Sequence, residues 1–380
     1  MFLTEEQQML RDMVHDFAQN EIKPIAAEID ETCEFPVETV NKMGELGLMG
    51  IVFPEEYGGA GMDYVCYAIA VEEISRVCAS HGITLAAHIS LGVNPIYSFG
   101  NEKQKQEWLP RLCSGEIIGA FGLTEPNAGS DAGGTETTAV RDGDEWVLNG
   151  TKRFITNASV SEVYSMTAMT DKSLGTSKGI SSFIVQAGTP GFSVDRKENK
   201  LGIRGSDTAG LILEDCRIPA ENLLGEEGRG FPYFLEILDG GRISIAAMAL
   251  GIAQGAIDQA LKFSKERVQF NRPISKFQAI QFKLADMATW IEAARHLVYN
   301  AARLKDAGKS YGKAAAMAKL YAAEIGTKVA EEAIQIHGGY GYTKEYLVER
   351  MWRDAKLCEI GEGTSEIQKV VIARDLLSGK

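Results

Sequence analysis

The segment Leu357–Gln368, LCEIGEGTSEIQ, places one carboxylate directly before a helix. Glu362 lies between Gly361 and Gly363, and the sequence predicts a helix over 366–377. The two glycines let a ligand approach the backbone closely, and the polar residues after them are typical helix caps. This segment is the reference point for the rest of the chain.

Two opposing effects decide the protonation of Glu362. The helix N-terminus stabilises the ionised form by at most ~2 kcal/mol, which corresponds to about 1.5 pKa units. Burial in an apolar pocket raises the pKa of a carboxyl group by up to ~3–5 units. In a dry site desolvation therefore wins, and Glu362 becomes a general base poised near neutrality. The alternative is an ordinary surface glutamate beside a helix cap.

Length and composition are those of a large soluble protein. The 380 residues can hold two or three domains, and the net charge of −13 argues against binding nucleic acid or anionic membranes. No apolar run approaches the ~20 residues that span a bilayer, so we expect no membrane insertion. The N-terminus shows no signal or transit pattern, and we expect a complete, cytoplasmic chain.

Cysteine and histidine usage predicts neither a disulfide framework nor a metal site. No CxxC pair, no HExxH motif and no GxSxG nucleophile motif is present. We expect reduced core cysteines and no metal. The residues concerned are Cys33, Cys66, Cys78, Cys113, Cys216, Cys358, His15, His81, His88, His296 and His337.

Hydrophobic patterning divides the chain into three parts. Residues 1–119 show helical periodicity and predict an N-terminal α domain. Residues 120–230 contain short β-like runs separated by turn formers, which predicts a small antiparallel β domain. Residues 231–380 contain three long helical runs and a shorter fourth, which suggests a four-helix bundle. The predicted class is α+β.

Three further segments can carry chemistry. FGLTEPNAGSD at 121–131 offers small residues and hydroxyls that can hold a phosphate or a heteroaromatic edge, or it is a linker. RVQFNRPI at 267–274 holds two arginines that either clamp a pyrophosphate or only favour a helix dipole. QIHGGYG at 335–341 is a left-handed helix cap or a close approach to a cofactor.

Taken together, these motifs resemble the acyl-CoA dehydrogenase family of flavoproteins from Thr4 to about Leu377. The matching stretches are FGLTEPNAGSD, RFITN, LDGGR, RVQFNRPISKFQ, QIHGGYGYT and EGTSEIQ. The resemblance implies an N-terminal α domain, a middle β domain and a C-terminal four-helix bundle, as the patterning also predicts. It also implies a homotetramer with one FAD per subunit, each site being completed by a neighbouring subunit.

The resemblance assigns roles to residues of this chain. The flavin would contact Leu123, Thr124, Ser130, Phe154, Thr156, Thr364 and Glu366. The FAD of a partner subunit would be reached by Arg267, Phe270 and Gln278. The adenosine side of the FAD would lie against Gln335, Gly338 and Gly339. The acyl-CoA substrate would contact Ser130, Asp239 and Arg242, with Gly361 and Gly363 beside it.

Glu362 occupies the position of the catalytic base in the short- and medium-chain branch. Other branches carry the base just before an arginine of the first bundle helix, where this chain has Gly241 before Arg242. The implied reaction is α,β-dehydrogenation, in which Glu362 removes the α-proton and flavin N5 accepts the β-hydride. A flavin ribityl hydroxyl and the N–H of Glu362 would stabilise the developing enolate. Electrons would pass to an electron-transfer flavoprotein.

One departure concerns the substrate. The family usually has an aromatic residue before the catalytic glutamate, and this chain has Gly361. The space predicts either a branched or alicyclic acyl group, such as cyclohexanecarboxyl, or an ordinary short chain with a neighbouring side chain moved in. Rival functions are an acyl-CoA oxidase, an enoyl-CoA reductase and a silent family member acting as a scaffold.

Overall fold

The structure, a computed structural model, describes residues 3–378 and begins with α-helices. π-Helical turns at Ala18–Ile22 and His88–Val93 extend the first and the fifth of them. The helices are α1 (Glu5–Phe17), α2 (Ala26–Thr32), α3 (Val37–Glu45), α4 (Tyr64–Ser75), α5 (Ala79–Ala87), α6 (Asn94–Phe99) and α7 (Glu102–Cys113). This region confirms the predicted helical first part.

The first helix begins at a reciprocal cap. The Thr4 hydroxyl accepts from the N–H of Gln7, and the Gln7 side chain accepts from the N–H of Thr4. Cys33 ends α2 in a left-handed conformation with φ of 60° and is exposed, unlike the other five cysteines. The expectation of a core position is therefore wrong for Cys33, because the turn that ends α2 points it outward.

The middle part is a seven-stranded sheet with strand order β1-β4-β2-β3-β7-β6 and β5 paired to β4. A short helix α8 (Thr176–Gly179) lies in an exposed connection. The strands are β1 (Gly119–Gly122), β2 (Thr138–Asp142), β3 (Glu145–Thr156), β4 (Val163–Met169), β5 (Ile180–Gln186), β6 (Phe192–Lys197) and β7 (Thr208–Pro219).

The sheet is mixed, whereas the sequence predicted an antiparallel one. Strand β1 pairs with β4 in parallel, from Gly119 opposite Val163 to Gly122 opposite Met166, and one residue pair joins β2 to β4 in parallel. The β2–β3 hairpin stands between β1 and β4 in the chain, so the chain crosses over before β4 returns beside β1 in the same direction. The other pairings are antiparallel.

The last part is again helical. Helices α9 (Gly230–Glu266), α10 (Gln278–Asp306) and α11 (Gly312–His337) correspond to the three predicted long runs. The predicted fourth is two helices, α12 (Val348–Ile360) and α13 (Ser365–Ser378), separated by the short loop that carries Glu362. A small hairpin, β8 (Val268–Gln269) and β9 (Arg272–Pro273), joins α9 to α10.

Helix α9 is the central element, with 37 residues and a length of about 55 Å. It is buried almost continuously from Gly240 to Ala253. A β-carbon at Gly251 would stand 2.2 Å from the Glu72 carbonyl oxygen, so only glycine lets α4 approach α9 this closely. The N-terminal and C-terminal helices consequently share one hydrophobic core, while the sheet has its own.

The element types change where the sequence predicted domain boundaries. Strand β1 begins at Gly119 and α9 begins at Gly230, beside the predicted divisions at 119/120 and 230/231. The division into 1–119, 120–230 and 231–380 as separate domains stays a prediction. Within residues 3–378, no helix is long and apolar enough to cross a membrane.

Candidate active site

The loop between α12 and α13 holds Glu362 in a strained conformation. Glu362 has φ of 52° and Gly363 has φ of 91°, so two consecutive residues are left-handed. A non-glycine residue in this region costs on the order of 1–2 kcal/mol and persists only where its surroundings enforce it. Gln368 Nε2 donates to the carbonyl oxygens of Glu362 (3.2 Å) and Gly363 (2.9 Å), and Lys319 Nζ donates to that of Gly363 (2.6 Å).

The Glu362 carboxylate is dry. The residue as a whole is half-buried, but both carboxylate oxygens are fully buried and have no hydrogen-bond partner within residues 3–378. Burial raises the pKa of Glu362 to about 7, against the opposing charges of Lys319 and Arg242. Desolvation therefore outweighs the helix terminus, and the alternative of a surface glutamate is wrong.

Helix α9 closes one side of this carboxylate. A β-carbon at Gly241 would stand 1.8 Å from Glu362 Oε2, which no side chain can do. A side chain at position 241 would therefore displace the Glu362 carboxylate from this position. Within the described chain, no acceptor takes the N–H of Glu362, which leaves this donor available to a ligand.

Charged residues lie on both sides of Gly241 in the same turn of α9. Asp239 and Arg242 form an ion pair through Oδ1 and Nη1. Burial raises the pKa of Asp239, while Arg242 and Lys305 oppose that rise. Arg242 Nε is buried without a partner among residues 3–378, and it is a second donor that a ligand can use.

The segment predicted to contact the flavin lies beside the start of α9. Leu123 packs with Phe121, Phe234 and Ile237 in one small apolar cluster. Phe121 and Phe234 stack with ring centroids 4.1 Å apart. Since Phe234 and Ile237 lie on the same helix as Asp239, this cluster connects the β-domain loop to the substrate-side residues.

The second predicted flavin element is adjacent to the first. The N–H of Arg153 donates to the carbonyl of Thr124 at 2.8 Å, which places Phe154 next to that loop. Phe154 is 62% exposed, has φ of 57° and lies in an irregularity of the β3–β7 pairing. Thr156 ends β3 opposite Thr208, and Ser130 lies on the exposed part of the loop.

The loop from Glu125 to Thr137 has a buried ionic support. The Glu125 carboxylate accepts from the N–H groups of Glu136 and Thr137 and pairs with Lys152 Nζ at 2.7 Å. Lys152 is fully buried. This network fixes both ends of the loop that carries Ser130.

The remaining predicted cofactor residues form a separate group at the other end of the bundle. Arg267 lies over the Tyr340 ring at 5.1 Å, and Tyr340 contacts Phe263 at the end of α9. The exposed tip of the β8–β9 hairpin is Phe270, with φ of 51°. The group contains Arg267, Phe270, Gln278, Gln335, Gly338 and Gly339, at the ends of α9, α10 and α11.

The two groups are far apart within one protomer. Gly241 and Arg267 are 26 positions apart along α9 and its C-cap, which is about 39 Å at 1.5 Å per residue. A single dinucleotide does not bridge that distance. Thr364 lies beside Glu362 before α13, whereas the Glu366 side chain is exposed on its first turn.

Comparison with known proteins agrees with this architecture. The N-terminal, middle and C-terminal domains of the acyl-CoA dehydrogenase family match residues 4–116, 120–216 and 228–377, respectively. The chain belongs to the acyl-CoA dehydrogenase family. It is accordingly an oxidoreductase that depends on FAD.

Two relatives and one solved structure illustrate the similarity. The short-chain specific acyl-CoA dehydrogenase of Clostridium acetobutylicum is 56% identical over 98% of both chains. The acryloyl-CoA reductase (NADH) of Anaerotignum propionicum is 52% identical over 99% of this chain and 95% of its own. The butyryl-CoA dehydrogenase of Megasphaera elsdenii superposes with a TM-score of 0.97 at 48% identity, covering 99% of each chain.

The residues of this acyl-CoA dehydrogenase fit an FAD. Phe154 is a large aromatic side chain held exposed in a left-handed backbone, with the Arg153 guanidinium 5.6 Å from the centre of its ring. A heteroaromatic ring laid on it would cover it. The buried Glu362 carboxylate oxygens and Arg242 Nε have no hydrogen-bond partner within residues 3–378, and no acceptor there takes the N–H of Glu362, so a ligand can bind to all three groups.

Sequence reasoning missed two residues of this dehydrogenase site. Lys319 lies within the Ala-rich helix α11, where its pattern does not differ from that of a surface lysine, yet it is fully buried. Gln368 belongs to the EGTSEIQ motif, but the motif does not indicate that its amide donates to two carbonyl oxygens of the loop. A polar residue six positions after the base was the only signal available.

The raised pKa of Glu362 predicts that Glu362→Gln stabilises the protein at alkaline pH. The pKa of Glu362 rises from 4.5 to about 7 on folding. Below pH 4.5 the group is protonated in both states and its burial costs no stability, whereas the free energy of unfolding falls as the pH rises through 7. At pH 8 the variant should exceed the wild type by up to about 3 kcal/mol, and the gain should vanish near pH 4.5. Denaturant unfolding of the flavin-loaded proteins at both pH values measures this.

The control is Glu324→Gln, which removes an exposed carboxylate of α11 whose ion pair with Lys369 spans 3.6 Å. It should change stability by no more than about 0.5 kcal/mol at either pH. An equal gain for Glu362→Gln at pH 4.5 and pH 8 would contradict the assignment to desolvation.

Proposed function

We propose that this acyl-CoA dehydrogenase oxidises a straight short-chain acyl-CoA to the trans-2-enoyl-CoA, with Glu362 as the base that removes the α-proton. The observation that carries the proposal is the buried carboxylate, with a pKa of about 7 and no hydrogen-bond partner among residues 3–378. Such a group is ionised enough to accept a proton at neutral pH and basic enough to hold it. The similarity to a short-chain specific acyl-CoA dehydrogenase and to a butyryl-CoA dehydrogenase supports the short-chain class.

The α-proton of a thioester is weakly acidic, so the site must stabilise the enolate that forms. The N–H of Glu362 is a free donor next to the base, as an oxyanion-stabilising group must be. Arg242, Asp239 and Ser130 are proposed to hold the CoA part. FAD, when bound, supplies the hydride acceptor.

The FAD is proposed to lie between two parts of the protomer. Leu123, Thr124, Ser130, Phe154 and Thr156 would hold it from the β domain. Thr364 and Glu366 would hold it from the loop and first turn of α13. An electron-transfer flavoprotein is the proposed electron acceptor.

The distal group supports a homotetramer with shared sites. Arg267 lies about 39 Å from Gly241 along α9, and Gln335 lies 16 positions, about 24 Å, beyond Lys319 along α11. Arg267, Phe270 and Gln278 are therefore proposed to contact the FAD of a partner subunit, with Gln335, Gly338 and Gly339 on the adenosine side. Phe270 is 87% exposed at the tip of a tight hairpin, as expected for a residue that another subunit covers.

The space beside Gly361 is shared with Leu357. A β-carbon at Gly361 would meet the Leu357 side chain at 3.7 Å, an ordinary contact. A β-carbon at this position therefore fits beside Leu357 without displacing it. The names of the short-chain relatives favour the straight short chain, and the comparisons give no support for a cyclohexanecarboxyl substrate.

Anaerobic titration of the flavin-loaded protein tests substrate and reaction together. We expect butyryl-CoA to bleach the flavin absorbance and cyclohexanecarboxyl-CoA to bleach it at least about tenfold more slowly, because a pocket that fits a short chain discriminates against a bulkier acyl group. Faster bleaching by the ring substrate would contradict the proposed class. Rapid peroxide formation in air would indicate an oxidase, and absence of bleaching by any acyl-CoA would indicate a silent family member.

A second candidate is the reverse reaction, enoyl-CoA reduction. The similarity to a protein named acryloyl-CoA reductase (NADH) favours it. Glu362, protonated at pH values below about 7, would then deliver the α-proton. Reduced protein mixed with acryloyl-CoA or trans-2-butenoyl-CoA, compared with oxidised protein mixed with the saturated thioesters, gives the equilibrium in each direction.

A further inference from the structure

Lys319 is a buried cation without a carboxylate partner. Its side chain is fully buried in α11, and its Nζ donates to the Gly363 carbonyl at 2.6 Å. Within residues 3–378 it forms no ion pair, whereas the other fully buried lysine, Lys152, pairs directly with Glu125 at 2.7 Å. Burying an unpaired charge is costly, so a lysine kept in this way needs a reason beyond packing.

We propose that Lys319 is a positioning residue for Glu362, which holds the catalytic loop through the Gly363 carbonyl and supplies the uncompensated positive charge that faces the base. This inference rests on the proposed role of Glu362. It assigns to Lys319 a part in proton removal that the sequence motifs do not indicate.

The strained loop that carries Glu362 is held by two side chains. Glu362 and Gly363 are both left-handed, and the side chains that bond their carbonyl oxygens are Lys319 and Gln368. Both donors converge on the Gly363 carbonyl. Releasing it would let the loop relax, and the carboxylate and N–H of Glu362 would move with it.

The groups that face the base lie on three other helices and are Lys319 of α11, Arg242 of α9 and Tyr67 of α4. Lys319 on α11 and Arg242 on α9 both lower the pKa of Glu362 against burial. Arg242 is already paired with Asp239, so much of its charge is compensated. Lys319 itself faces Arg242, Cys358, Glu359 and Glu362, and burial lowers its pKa to about 8, which leaves it protonated at pH 7.

Variants of the two side chains that donate to the Gly363 carbonyl separate the effect of losing the hydrogen bond from the effect of losing the positive charge. Gln368→Met removes a neutral donor, Lys319→Met removes a donor and the charge, and Lys319→Gln keeps an amide donor without the charge. Lys328→Met is the matched control, since Lys328 is exposed on α11 and lies over the Trp290 ring. Each variant is studied as the flavin-loaded full chain, with flavin content and thermal midpoint recorded.

The first readout is the pH dependence of kcat/KM with butyryl-CoA. Removing a nearby opposite charge should move the acidic limb upward by about 1–3 pH units in both neutral Lys319 variants. A shift of one unit from pH 7 lowers the ionised fraction about fivefold at that pH, and kcat should fall more than KM changes. Gln368→Met should lower kcat with the limb in place, and Lys328→Met should match the wild type.

The second readout does not depend on turnover. Subtracting the infrared spectra of the matching Glu362→Gln derivative from those of each protein isolates the carboxyl band of Glu362. A pH titration of that band should show the same upward shift in the pKa of Glu362. By reciprocity, isotope-labelled lysine should show a lower pKa of Lys319 in Glu362→Gln than in the wild type, a measurement that needs no Lys319 variant to fold.

An unchanged acidic limb in the neutral Lys319 variants would overturn the inference, as would a Lys319 pKa unaffected by Glu362→Gln. If the wild type reduces its flavin with butyryl-CoA and Glu362→Gln does not, the proposed function stands whatever Lys319 does. If neither reduces the flavin, the proposed function fails first.

Discussion

Replacing Glu362 by glutamine is expected to lower the rate of flavin reduction by butyryl-CoA by about 10²–10⁴-fold. Glutamine has the same shape as glutamate, fills the same buried space and cannot accept a proton. The carboxylate oxygens have no protein partner within residues 3–378, so the amide breaks no hydrogen bond. Anaerobic stopped-flow absorbance at saturating substrate measures the rate of reduction.

The matched control for this experiment is Glu359→Gln. Glu359 lies in the last turn of α12, three residues before the base, and pairs with Lys356 at 2.7 Å. Its loss should leave the rate within a few-fold of the wild type. If Glu362→Gln reduced its flavin as fast as the wild type, another group would be the base and the assignment would fail.

The fold was predictable because its signals are local. The change from helical periodicity to short β runs near Gly119 and back near Gly230 is visible in the sequence, and the elements begin there. The parallel pairing of β1 with β4 was not predictable in this way. Alternation of apolar and polar residues is the same in both strand orientations, and the crossover depends on where the β2–β3 hairpin lies.

The site was predictable only in part, because desolvation depends on tertiary contacts. The position of Glu362 before a helix followed from its glycine and threonine neighbours. Its protonation did not, since the elements that bury it, α9 at Gly241 and α11 at Lys319, are 121 and 43 positions away in the chain. The burial of Lys319 could not be predicted for the same reason. In an Ala-rich helix, the sequence pattern around a lysine that faces a carboxylate is the same as that around a lysine that faces water.

Substituting Gly241 by alanine should reduce flavin reduction by about 10²-fold while leaving the protein folded. The new β-carbon would stand 1.8 Å from Glu362 Oε2 and 2.8 Å from its Cδ. Because these atoms are the far end of a side chain, the carboxylate moves rather than the helix. Alanine is a better helix former than glycine by up to about 1 kcal/mol, so stability should not fall much. A displacement of about 1 Å at a reacting group costs about 10²-fold in rate.

The neighbouring variant Gly240→Ala distinguishes a displaced base from a general effect of alanine in α9. Its β-carbon would meet Lys305 Nζ at 2.8 Å, also the end of a flexible side chain, and would not touch Glu362. The stopped-flow rate of Gly240→Ala should therefore stay near that of the wild type while that of Gly241→Ala falls. Equal rates for Gly241→Ala and the wild type would mean that the base works from another position. That result would remove the reason why this chain has glycine where other family branches carry their base.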